Sequence, residues 1–272
     1  MRPTLFDTHA HLQLASFDDD REEALARARD AGVQAVLTVG FTLATSRLAV
    51  ALAERHADCW ATVGLHPHEA REWSPRLRDA LRDLAQHPRV RAIGEAGLDY
   101  YRDLSPREAQ EEAFVGQMAL ARELGLPLVV HNRDATGDML DLVERYASGI
   151  TCLLHAFSGD WPTAHRALGL GCAFGIGGAV TYRKADLLRD AVARLPVGSF
   201  VVETDAPWLP PQSRRGRRNE PAFLRETAEA IARVRHVAPE TLADETTQSA
   251  LRFFGMEIPG QPAAAQQETD RP

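Results

Sequence analysis

Cysteine is scarce in this 272-residue chain: Cys59, Cys152 and Cys172 are odd in number and unclustered. That argues against a disulfide framework and a C-x-x-C metal site, and leaves reduced core thiols in a cytoplasmic protein as the simplest reading. No window approaches the ~20 apolar residues that a membrane span needs. Met1-Arg2-Pro3-Thr4 runs straight into the first apolar segment, which leaves no room for a secretory leader. No Gly-rich phosphate loop follows an early strand, which argues against an open dinucleotide-binding sheet. Positive charge is not in excess: 31 Lys and Arg face 38 Asp and Glu, a net charge of −7. Indiscriminate coating of nucleic acid is disfavoured, whereas a local basic surface is not.

What is present is an alternation. After a short opening strand at residues 4–6, apolar runs recur at 33–39, 59–64, 90–95, 127–131, 150–155, 172–176 and 199–205. Helical patterns separate them, among them 19–31, 106–124, 135–146 and 185–195. Continuous apolar runs are what strands show when helices cover the sheet. Eight strands separated by helices predict an α/β protein built as a (β/α)8 TIM barrel. Two further helices, at 221–236 and 239–254, follow a Pro- and Arg-rich loop, and the second is expected to close the barrel. The barrel is expected over residues 1–257 as a single unit, with a disordered Pro-, Gln- and Ala-rich tail over 258–272.

The polar residues within this pattern fall at strand ends. His9 and His11 share one parity on the first strand, so both imidazoles project to the same side. Alone, such a pair is as well read as two surface histidines. Glu95, His131, His155 and Asp205, however, end the fourth, fifth, sixth and eighth runs. In a barrel that rim is where active sites are built. Six N and O donors on one face, buried without a counter-charge, would be expensive. Two divalent cations resolve this. Glu95 has two oxygens and can bridge them; His9, His11 and Asp205 would hold one ion, His131 and His155 the other. Four neutral imidazoles and two carboxylates around two such ions leave surplus positive charge, a match for an anionic phosphodiester.

Seven short motifs stand in order along the chain: FDTHAHL (6–12), VGLHPH (63–68), IGEAGLDY (93–100), HNRDA (131–135), HAFSG (155–159), ETDAPWL (203–209) and RNEP (218–221). Together they resemble the TatD-like metal-dependent deoxyribonucleases, a branch of the amidohydrolase-like barrels, over roughly residues 4–255. The resemblance implies a two-metal hydrolase acting on DNA, often as a 3′→5′ exonuclease on single strands. It carries the metal ligands onto His9, His11, Glu95, His131, His155 and Asp205. Mg, Mn and Zn all suit such donors. RNA is a possible second substrate, and no membrane partner is implied.

Around the ligands, His66 is expected to touch the phosphate or the leaving oxygen, and Asp205 to take the proton of a metal-activated water. Arg133 shares the parity of His131 and can reach a phosphate. Ser158 and Gly159 either cap the next helix or offer their loop to a phosphate. Arg218 and Asn219, in the last motif, are further substrate-binding candidates. Asp7, Asp99 and Glu203 are expected to support the ligands, with Asp7 and Glu203 hydrogen-bonding metal-binding histidines. Tyr182 and Trp208 are candidate platforms for bases. Arg214, Arg215, Arg217 and Arg218 form a basic run that should overhang the rim. Two competing readings remain: an amidohydrolase or esterase, including one deacylating aminoacyl-tRNA, and a non-catalytic scaffold.

Overall fold

The computed structural model describes residues 4–257, and the expected tail lies outside them. Eight parallel strands alternate with helices in sequence order. They are β1 (Leu5–Ala10), α1 (Arg21–Asp30), β2 (Val33–Val39), α2 (Leu43–Arg55), β3 (Cys59–Val63), α3 (Pro75–Ala85) and β4 (Val90–Asp99). There follow α4 (Arg107–Leu124), β5 (Leu128–Arg133), α5 (Thr136–Tyr146), β6 (Cys152–Leu154), α6 (Trp161–Gly169) and β7 (Ala173–Ile176). The series ends with α7 (Asp186–Arg194), β8 (Phe200–Val202), α8 (Leu224–Arg235) and α9 (Pro239–Phe254). This is the TIM barrel that the alternation predicts.

Local signals set several helix ends. The Thr42 and Thr45 side chains form a reciprocal capping box at the start of α2. Asp160 caps α6 by accepting from Thr163 N at 3.0 Å, so Ser158 and Gly159 are not the caps. Gly125 ends α4 at φ +64°, a conformation that a side chain disfavours.

The barrel interior is filled from below. Phe6, Leu37, Trp60, Val129, Leu153 and Val201 form one buried cluster with Leu251, Phe254 and Met256. Phe254, at the end of α9, lies 6.0 Å from the Phe6 ring, and Phe6 lies 6.3 Å from Trp60. The last helix therefore plugs the N-terminal end of the barrel, and the C-terminal end is left for polar residues. Burying each such ring contributes roughly 2–3 kcal/mol.

Two register shifts decide what points into the upper barrel. Between Asp7 and Ala10, β1 spends three residues where β2 spends two, and between Ile93 and Ala96 β4 does the same against β5. One extra residue reverses which parity faces inward. Phe6 and Ala92 thus face the lower core, while His9 and Glu95, of opposite parity, reach the site above. The shift also carries β4 on to Asp99, four residues beyond the end expected at Glu95. Residues from β8 close the barrel against β1: Asp205 N donates to His9 O and His11 N to Ala206 O, each at 2.7 Å.

Candidate metal centre

Glu95 occupies the middle of the rim, and its two oxygens face different partners. Oε2 lies 3.5 Å from His9 Nε2 and 3.8 Å from His11 Nε2. Oε1 lies 2.7 Å from His131 Nδ1, 3.1 Å from His155 Nε2 and 3.6 Å from His66 Nε2. Asp205 Oδ1 completes the first group, 3.5 Å from His11 Nε2 and 3.9 Å from His9 Nε2. The strand-end expectations thus converge: all six predicted donors meet in one cluster, buried except for the partly exposed His131. Asp205 sits there with φ +58°, in the left-handed region that a non-glycine residue seldom adopts. Such strain is retained where the surroundings over-determine it.

The far nitrogens of the imidazoles are pinned. His11 Nδ1 donates to Val39 O at 2.7 Å. His131 Nε2 faces Asp99 Oδ2 at 3.1 Å, and His68 Nε2 meets the same oxygen at 3.0 Å. His155 Nδ1 faces Glu203 Oε1 at 3.2 Å, and Ala156 N donates to that oxygen at 2.6 Å. When the far nitrogen carries the proton, the near one presents its lone pair towards Glu95. His9 differs: its Nδ1 is buried without a partner, as is Glu203 Oε2, and His9, His155 and Glu203 form one ligand-type group. His66 is the opposite case. Its Nδ1 accepts from His68 N at 3.1 Å, so in the neutral ring Nε2 carries hydrogen. His66 therefore offers a donor to the site rather than a lone pair.

Electrostatics follow the geometry. Burial alone would raise the Glu95 carboxyl, but the His155 charge and the bonds from His131 and His155 hold it well below the usual range. Burial opposes charge on His155 and His131, yet Glu95 and Glu203 raise the first well above its ordinary value, and Asp99 and Glu95 raise the second. Burial lowers His9, with His155 adding to it, and burial lowers His66 strongly. The ion pairs of Glu95, Asp205 and Glu203 run to imidazoles alone among the described residues. A buried set of imidazole nitrogens and carboxylate oxygens without Lys or Arg fits divalent cations. His9, His11 and Asp205 form one group of mutually close donor atoms, and His66, Glu95 and His131 another.

Several expectations need correction. Asp7 does not bond an imidazole. Its carboxylate accepts from Thr204 N at 2.9 Å, Thr204 Oγ1 at 2.6 Å and His9 N at 3.3 Å, so it ties β1 to the chain after β8. Burial pushes that carboxyl up to about 8 despite these bonds. Asn219 is fully buried and spends its amide on Thr204 O and Trp208 O, at 2.8 and 2.7 Å. Arg218 is held by Asp20 at 2.6 Å and by Ser16 O, over the Phe17 ring. Both belong to the framework of the loop after β8. Arg214 is paired with Glu226 at 2.7 Å. Of the basic run, Arg215 and Arg217 are the exposed members, and Arg215 lies over Tyr182. Arg133 is exposed, with its guanidinium 3.9 Å from the Tyr101 ring centre. Ser158 is exposed beside His155. Trp208 is half exposed, its ring edge-on to His11 at 4.9 Å.

Two contributors were not assigned a role from the sequence. His68, which the His66-Pro67-His68 turn leaves open between a structural turn and a site role, shares Asp99 with His131. Gly175, on β7, makes room for Glu203: a Cβ there would stand 2.0 Å from Oε2. Nothing in the sequence signals that approach.

A (β/α)8 barrel with this donor cluster at its C-terminal rim defines a metal-dependent hydrolase. The chain belongs to the TatD related DNase family, whose model matches residues 6–255. It is 37% identical over 251 residues to the metal-dependent hydrolase YabD of Bacillus subtilis (strain 168), covering 92% of this chain and 98% of that protein. It is also 37% identical over 262 residues to the 3′-5′ ssDNA/RNA exonuclease TatD of Klebsiella pneumoniae (strain 342), covering 94% of this chain and all (100%) of TatD. Among solved structures, the TatD homologue YjjV of Escherichia coli K12 superposes with a TM-score of 0.89 at 29% identity, over 94% of this chain and 100% of YjjV. No helix among the described residues is long and apolar enough to cross a membrane.

Proposed function

We propose that this hydrolase cleaves phosphodiester bonds of single-stranded DNA, and of RNA as a second substrate, working from the 3′ end. The observation that carries the reading is the divided Glu95: each oxygen faces its own donors, and three of the four ligand imidazoles are pinned by an acceptor behind them. His9, His11 and Asp205 would hold one divalent ion and His131 and His155 a second, with Glu95 shared. Such ions lower the pKa of water and neutralise phosphate oxygens. The name of the Klebsiella relative supports the substrate class and direction. Three free, buried cysteines fit work in a reducing cytoplasm.

The chain's own groups then have distinct tasks. Asp205, at the mouth of the site, accepts the proton of the attacking water. Burial keeps His66 neutral, and its Nε2–H is a hydrogen-bond donor for the phosphate or leaving oxygen. Asp99 and Glu203 fix the rings of His131 and His155. Exposed Arg215, Arg217 and Arg133 attract the polyanion.

Incubating 5′-labelled single-stranded DNA with metal-stripped protein, with and without added Mn, tests this. A ladder shortening from the 3′ end only when Mn is present is the expected result. Intact DNA alongside turnover of a carboxylic ester or aminoacyl-tRNA would refute it.

A further inference from the structure

A cavity of about 230 Å³ lies beside His155, between the loops that follow β5 and β6. The metal centre does not occupy it. Its floor is apolar, formed by the buried side chains of Met139, Leu154 and Phe157. Its rim is polar: Ser158, and Asn132, whose amide donates to Thr136 Oγ1 at 2.8 Å. Arg133 also lines the rim, stacked on Tyr101, which is 58% exposed.

This chemistry selects its occupant. A phosphate against Met139, Leu154 and Phe157 would lose its hydration, and the Arg133 guanidinium, stacked on Tyr101, stands in the lining beside the opposing carboxylate of Asp134. A planar heterocycle buries its faces on such a floor and turns its polar edge to the rim. The position selects it further. His155 forms one wall of the cavity, and its Nε2 is 3.1 Å from Glu95 Oε1, on the His131 side of the centre. An occupant of the cavity therefore lies one imidazole away from the metal centre, and about 230 Å³ accommodates one nucleoside rather than two. On the opposite side of Glu95, Trp208 presents a ring that is 47% exposed, edge-on to His11. That side is an open stacking surface, not a cavity.

We propose that the β5–β6 cavity is the subsite for the base of the terminal nucleotide released at each turn, with the rest of the strand leaving past Trp208. This rests on the nuclease reading above. It adds a physical reason for end-first entry: a chain terminus delivers its base to a one-nucleoside cavity without the backbone distortion needed to flip out an internal base.

Two single strands, identical except that one carries an abasic tetrahydrofuran residue at its 3′ end, test the proposal. First-cut kcat/KM with the wild-type protein should fall about tenfold or more for the abasic end, the scale of one base-stacking interaction. An abasic residue placed five nucleotides inward should not slow that first cut. Ser158→Ile and Thr163→Met, at two positions that line the cavity, fill it without offering a ring and should bring the two ends within about twofold of each other. Equal wild-type rates on the two strands would overturn the subsite while leaving the nuclease intact. Dependence on a 3′-terminal phosphate instead of the base would overturn it in favour of an anion site. Cleavage of neither strand would remove the nuclease reading and the subsite with it. The wild-type comparison stands even if a variant fails to fold.

Discussion

Gly175→Ala is the sharpest test of how the site is held. The added Cβ would lie 2.0 Å from Glu203 Oε2, 2.6 Å from Cδ and 3.1 Å from Oε1. Glu203 is fully buried and cannot swing into solvent, so its carboxylate must leave its present place. Oε1 then loses its bonds to His155 Nδ1 and Ala156 N. Hydrogen bonds to a charged group contribute ~1.5–3 kcal/mol each, so the two together represent roughly 3–6 kcal/mol, shared between stability and the His155 orientation. Losing the support behind a ligand weakens ion binding by about 10–100-fold. Gly177→Ala, two residues on, is the matched control: its Cβ would meet nothing nearer than 3.7 Å. Urea unfolding and calorimetric Mn titration of the two metal-stripped variants measure both quantities. The control should stay within ~0.5 kcal/mol of wild type. If Gly175→Ala matched it in stability and in Mn affinity, Glu203 would not be what orients His155.

Asp205→Asn should retain the fold and DNA binding but lose at least ~100-fold in turnover, the lower range for a general base. Ion occupancy is measured on the same sample; turnover within a few-fold of wild type with both ions bound would pass the role to Glu203. Arg215→Ala combined with Arg217→Ala should reduce the log–log salt slope of single-strand binding by ~0.7 for each phosphate no longer neutralised. Arg218→Ala should leave that slope unchanged and lower the melting temperature, because its partner is Asp20. Folded-state pKa values of His131 and His155 are raised, so their contribution to metal-free stability is full below the unfolded value of ~6.5 and is lost as pH rises through the folded values. Mn must displace those protons. Calorimetry in buffers of different ionisation enthalpy should therefore show proton release near neutral pH, with apparent affinity rising with pH; binding without proton release would contradict the assignment.

The barrel was legible because buried parallel strands read as apolar runs, and the six donors because each stands near the end of one. What the sequence hid was three-dimensional. The extra residues in β1 and β4 are invisible to period-2 counting, so the parity that places His9 beside His11 does not reveal that Phe6, of the other parity, faces inward below them. Asp7, two residues from His9, looked like support for an imidazole. It instead bonds backbone groups, because the Thr204 segment packs against it. Arg218 and Asn219 sit in a family motif yet serve the loop itself, through bonds to residues about 200 and 15 positions away. Gly175 could not be singled out, since nothing local distinguishes a glycine required by a distant carboxylate.

The central claim is that one shared glutamate organises two cation sites. Anomalous diffraction from crystals of this protein soaked in Mn measures it directly. Two peaks are predicted, one among His9, His11 and Asp205 and one at His131 and His155, both within reach of Glu95. A single peak, or density away from Glu95, would contradict it.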